Sequence, residues 1–157
     1  MTRVPAPETL PSVSLSDPEG RVHALSDAWA SGPALVLVGH SGCDTTRFTL
    51  PYVDRIHRRR GLGGVAVVLQ DEPGAARELT ERLGLEVPVL LEAAPYPFAS
   101  ALGLTVVPTL YQVAPGGRIE AASEAFQREA LEQAAARLGV AGPLFTADDG
   151  VPISRPG

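Results

Sequence analysis

The sequence predicts an α/β fold: a central mixed sheet with helices on both faces. Two observations carry this. Uninterrupted apolar runs of strand length, Ala34 to Val38 and Gly64 to Leu69, alternate with segments whose apolar residues recur at helical spacing, and two further short strands around a Pro-Gly turn precede a last helical segment. The 157 residues fit one domain of the usual ~100–200, and 45% of them are hydrophobic, enough for a substantial core.

Residues 1–10 are Pro-rich and predict a loose arm. Val13 and Leu15 alternate with serines up to the turn Asp17-Pro18-Glu19-Gly20, and Val22 to Leu25 follows, which predicts an N-terminal β-hairpin. Ala34 to Val38, bounded by Gly32-Pro33 and Gly39, is a strand buried on both faces. From Asp44 to Arg60, Phe48, Tyr52 and Ile56 recur every fourth position and Val53 widens the face, so a helix is expected, kinked at Pro51. Gly64 to Leu69 is a second buried strand. Asp71-Glu72-Pro73 then opens a helix through Leu79 and Leu83 that stops at Gly84. Val87 to Leu91 is a third strand, Pro97 to Leu102 a brief helix, and Thr109 to Val113 pairs through Ala114-Pro115-Gly116-Gly117 with Arg118 to Ala122. Leu131, Ala134, Ala135 and Leu138 form a closing helix before Gly139, and residues 140–157 are a Gly/Pro-rich tail without periodicity. The organisation is therefore an arm (1–10), a domain (11–139) and a tail (140–157).

The composition excludes several classes of function. A net charge of −5, with Arg58-Arg59-Arg60 the only dense basic run, argues against nucleic acid as a partner. No stretch reaches the ~18 consecutive apolar residues that a membrane span needs. His23, His40 and His57 have no metal-ligand spacing, and a single cysteine, Cys43, makes neither an intrachain disulfide nor a thiolate metal site, so no metal and no bound cofactor are expected. His57, beside the arginine run, belongs on a solvated helix face. Gly61-Leu62-Gly63-Gly64 precedes a strand and reads as a turn, not a phosphate loop. Nothing between Met1 and Ser16 has the pattern of an export signal, so the expected location is the cytoplasm.

Cys43 sits where a central strand hands over to a helix. Its sulfur would face the unpaired N–H groups and positive dipole end of that helix, which favour thiolate over thiol. A lone cysteine is more often a small buried hydrophobe, and only this position argues for reactivity.

Four pieces in order carry a resemblance that spans about residues 11–139: the hairpin from Ser14 to Val22 with Leu25-Ser26-Asp27; Cys43-Asp44-Thr45-Thr46-Arg47 between strand and helix; Pro51 eight residues beyond the cysteine; and Val107-Pro108-Thr109 before the last hairpin. Together they resemble the thioredoxin-like superfamily, in the branch of cytochrome-biogenesis thioredoxins and alkyl-hydroperoxide-reductase relatives. The resemblance implies that Cys43 is the nucleophile, that Pro108 is cis beside its sulfur, and that the Val107 backbone pairs with an extended substrate as an added strand would.

The chain departs from the family pattern where dithiol members carry the second cysteine of Cys-x-x-Cys: that position is Thr46, which cannot resolve a mixed disulfide. The family's aromatic residue before the nucleophile is Gly42, and its buried acidic or polar proton shuttle is Leu37. What this leaves is monothiol chemistry. The Cys43 thiolate attacks a disulfide or oxidised thiol of a protein or small thiol, Thr46 donates a hydrogen bond to the sulfur, and an external thiol reductant completes the cycle. One alternative is a non-catalytic peptide-binding module that keeps the Val107-Pro108 groove. Another is a one-cysteine peroxidase, but Val36 and His40 stand where peroxiredoxins need Pro and Thr, and Val107 where they place Arg. In that case His40 would serve as a base and Arg47 would lower the thiol pKa.

Overall fold

The computed structural model of the chain describes residues 7–157. Strands β1 (Ser14–Ser16) and β2 (Val22–Ala24) form the opening hairpin, and β3 (Ala34–Gly39) leads into helix α1 (Asp44–Arg59). Then follow β4 (Gly64–Leu69), α2 (Pro73–Leu83), β5 (Val89–Leu91), α3 (Pro97–Ala101), β6 (Thr109–Val113), β7 (Ile119–Glu124), β8 (Phe126–Gln127), α4 (Arg128–Arg137) and β9 (Ser154–Arg155). Seven strands make one mixed sheet in the order β2-β1-β5-β4-β3-β6-β7. The three crossover-linked strands β3, β4 and β5 run parallel, while β6 pairs antiparallel with both β3 and β7.

The apolar runs work because the two faces of each central strand are buried against different partners. Leu35 and Leu37 of β3, with Val65, Val67 and Leu69 of β4, pack on Leu50, Val53 and Ile56 of α1 and on α2 and α4. Ala34, Val36 and Val38, with Ala66 and Val68, face Leu25, Trp29, Phe98 and Leu102 on the other side. Each fully buried Leu, Val or Ile contributes about 1.5–3 kcal/mol of transfer free energy, so the two layers together fix the register of the strand that presents Cys43. Helix α1 runs as one element through Pro51.

Three stretches differ from the sequence expectation. Residues 1–6 of the expected arm lie outside the described residues, but residues 8–10 are docked. Ile119 donates its N–H to the Glu8 carbonyl at 2.8 Å and Leu10 donates to Gly117 at 2.8 Å. Leu10 itself is fully buried in the second core layer, and that burial is what ties down the segment. Strand β5 starts two residues later than expected because the Val87 N–H is taken by the Asp54 carboxylate of α1 at 2.8 Å, while Pro88 has no N–H to give.

The tail, too, is part of the domain: Leu144 and Phe145 are buried in the first layer, and Arg55 of α1 grips Asp149 with two bonds of 2.9 and 3.0 Å. Phe145 joins an aromatic cluster with Tyr52, Phe126 and Phe48, with Tyr52 at 5.0 Å and Phe126 at 6.3 Å from its ring.

Candidate functional site

Cys43 is the N-cap residue of α1, in extended conformation at φ −93° and ψ 121°, and its side chain is partly exposed. This follows from β3 ending in Gly39 and the chain turning through His40-Ser41-Gly42, a turn closed by the Cys43 N–H on the His40 carbonyl at 3.0 Å. Two glycines make the turn possible. A Cβ on Gly39 would come within 2.6 Å of the Thr46 side chain, and one on Gly42 within 2.8 Å of the His40 ring. Thr46 therefore packs, fully buried, directly beneath the turn.

The electrostatics around the sulfur are unequal. Burial works against ionisation, but the backbone N–H and the hydroxyl of Thr46, with the N–H of Thr45, outweigh both burial and the Asp44 carboxylate and hold the thiol below its ordinary pKa. The sulfur makes no close side-chain capping bond to the helix, and the donors that act on it belong to the first turn of α1. The Thr46 hydroxyl also accepts the His40 N–H at 3.4 Å, which orients it. Across the site the thiol donates to the Val107 carbonyl at 3.5 Å. The Val107–Pro108 peptide is cis, and the Pro108 carbonyl accepts the Ala125 N–H at 2.7 Å. The structure thus brings Cys43, Thr46, Val107 and Pro108 together.

The structure engages His40 and Arg47 in the turn before Cys43. The His40 Nδ1 accepts the Gly42 N–H at 3.0 Å, which puts the proton of the neutral ring on Nε2, 3.6 Å from Asp71. The Arg47 guanidinium donates to the Ser41 carbonyl at 2.5 Å and pairs with Asp44. Both side chains brace the turn before the thiol. Leu37 is fully buried among hydrocarbon. His57 is half-buried rather than on an open face: burial first, and the charge of Arg60 second, hold its pKa below the ordinary value. It lines a cavity of about 690 Å³ with Asp27, Arg60, Thr80 and Pro88. That cavity opens at the far end of the sheet, and none of the residues singled out for the thiol site lines it.

Sequence reasoning missed Asp71 and Ser41. The Asp71 carboxylate accepts the Ser41 N–H at 2.9 Å and the Ser41 hydroxyl at 2.5 Å, which anchors the turn before Cys43 to the end of β4. The signal was available: Asp71 follows a buried strand parallel to the one preceding Cys43, so both strand ends open on the same edge of the sheet.

No family model matches the chain. Among curated proteins it is 27% identical over 122 residues to the thiol-disulfide oxidoreductase ResA of Geobacillus thermodenitrificans, a match covering 76% of this chain and 69% of ResA. Among solved structures it resembles a Chlorobium tepidum protein assigned as a thiol:disulfide interchange protein DsbE (TM-score 0.72, 23% identity, 88% of this chain and 100% of that one). It resembles the peroxidoxin BcpB of Mycobacterium tuberculosis equally well in shape (TM-score 0.72, 14% identity, 85% of this chain and 96% of that one). The shape is therefore shared by disulfide oxidoreductases and a peroxidoxin, and the residues must decide between them.

Proposed function

We propose that this chain, which has the thioredoxin-like fold and is similar in sequence to a thiol-disulfide oxidoreductase, is a monothiol redox protein acting through Cys43. The observation that carries the reading is the sulfur's position: partly exposed, held below its ordinary pKa by the first turn of α1, and facing the Val107 carbonyl. The Cys43 thiolate attacks one sulfur of a substrate disulfide; the new S–S bond forms a mixed disulfide, and the other substrate sulfur leaves as a thiolate. Thr46 cannot attack that mixed disulfide. A thiolate of an external thiol does so, taking the substrate sulfur into a new disulfide and releasing Cys43 as the thiolate. The Thr46 hydroxyl stabilises the charge on Cys43 at the start and end of this cycle. A thiol-rich compartment, the cytoplasm, suits a cycle that depends on an external thiol.

Peroxide reduction is the weaker reading, because Val36 and His40 supply none of the polarising contacts it needs and Arg47 is committed to Ser41 and Asp44. The test is Cys43→Ser, assayed for reduction of a protein or glutathione mixed disulfide with excess small thiol. The redox reading expects turnover to vanish while the fold persists. Turnover equal to the parent chain would overturn it, and retained partner binding without any turnover in either chain would favour the peptide-binding module.

A further inference from the structure

The segment 154–157 lies across the residues that flank the thiol. Strand β9 (Ser154–Arg155) pairs antiparallel with β8, and the Arg128 N–H donates to the Ile153 carbonyl at 3.0 Å. From there the Arg155 guanidinium stacks 4.9 Å over the Phe48 ring of α1, and the Pro156 carbonyl accepts the Thr45 hydroxyl, two residues from Cys43. Gly157 reaches the opposite wall: a Cβ there would stand 2.5 Å from the Val107 carbonyl oxygen and 2.6 Å from the Val106 side chain. The same Val107 carbonyl receives the Cys43 thiol. One short extended stretch therefore touches both the first turns of α1 and the Val106-Val107 wall, the two sides between which a substrate strand would lie.

We propose that residues 154–157 are an intramolecular occupant of the substrate groove, and that the groove selects extended peptides carrying an arginine for the Phe48 face followed two residues later by a small residue at the Val107 wall. This rests on the monothiol reading for its chemistry, but the occupancy itself does not. The cation over Phe48 sets one anchor, the Thr45 hydroxyl donates to a backbone carbonyl of the occupant, and the close approach at Gly157 leaves no room for a larger side chain. Because Cys43 stays partly exposed, small reagents reach the sulfur with the segment in place, whereas a peptide disulfide must displace it.

The test compares the full chain with the double variant Arg155→Glu, Gly157→Val, which removes the cation and forces a clash at Val107. The probe is an Arg-containing peptide whose cysteine is in a mixed disulfide with thionitrobenzoate; attack by Cys43 joins the peptide to the protein and releases the thionitrobenzoate anion. The variant is expected to react roughly tenfold faster, the combined weight of one cation–π interaction and one hydrogen bond that no longer hold the segment down. Iodoacetamide should alkylate both chains at similar rates. Added Ser-Arg-Pro-Gly peptide should slow the variant again, and Ser-Glu-Pro-Gly should not.

Equal reaction of all chains with the peptide disulfide would overturn the proposal. If instead Cys43 proves as sluggish as a free cysteine while fluorescently labelled Ser-Arg-Pro-Gly binds the variant and not the parent, the occupancy stands and the redox reading alone falls.

Discussion

Replacing Thr46 by Val tests whether the buried hydroxyl is what keeps the thiol ready. The side chains are nearly isosteric and the site is fully buried, so packing under Gly39 is preserved and the change is confined to one O–H. That hydroxyl stabilises the thiolate and accepts the His40 N–H only at the long distance of 3.4 Å, so little is orphaned by its removal. A hydrogen bond to a charged group is worth about 1.5–3 kcal/mol; for a partly exposed sulfur without a close bond we take about 1 kcal/mol, or a fivefold reduction in thiolate near neutral pH. The sign is definite: removing a group that favours the charged form moves the rise in reactivity to higher pH. Iodoacetamide alkylation should be about fivefold slower near neutrality and equal to the parent, or slightly faster, at strongly alkaline pH where both thiols are ionised, since a more basic thiolate is the better nucleophile. An unchanged neutral rate would refute the assignment to Thr46. Slowing by the same factor at every pH would show that access, not ionisation, had changed.

Other perturbations have equally definite signs. Asp44→Asn removes the carboxylate that opposes ionisation of Cys43, so alkylation near neutral pH should be faster than in the parent. Asp54→Ala leaves the N–H groups of Glu86 and Val87, bonded at 2.7 and 2.8 Å, without that acceptor and removes the ion pair with Arg58, which keeps Gly84 and Glu86; urea unfolding should show a destabilisation of about 3 kcal/mol at unchanged m-value. The Arg55 guanidinium holds the Asp149 carboxyl well below the usual carboxylate range, with further help from the Thr146 N–H. Because the folded value is depressed, the stabilisation is fully present above the ordinary aspartate pKa and is lost progressively as pH falls from there through the folded one. Phe145 should thus resist pepsin in mild acid and become cleavable only in strong acid, whereas Asp149→Asn should expose it to chymotrypsin at neutral pH.

What could be seen in the sequence, and what could not, divides along physical lines. The central strands were legible because Leu35 and Leu37 face one apolar layer and Val36 and Val38 another, which leaves an unbroken apolar run in the chain. The place of Cys43 was legible because a strand ending in glycine followed by an amphipathic helix fixes a helix start locally. Contacts that depend on residues far apart in sequence were not. Asp71 holds Ser41 across 30 positions, and Asp54 delays β5 across 33, with no periodic trace in either segment. The segment 140–157 looked featureless because it docks as irregular chain: Phe145 finds Tyr52 and Phe126 through an aromatic cluster, not through a repeat. The bracing role of His40 was hidden for a related reason, since it depends on Gly42 leaving room for the ring to fold back.

The hollow under Gly39 bears on how such a centre changes over evolutionary time. The side chain at position 46 already sits one helical turn from the sulfur and interacts with it, sealed from solvent by the turn above. A codon change to cysteine would set a second sulfur there without rebuilding the backbone. On the monothiol reading, single-thiol and paired-thiol centres are thus neighbouring designs on this scaffold, and the choice between an external thiol and an internal resolving group rests on a single buried side chain.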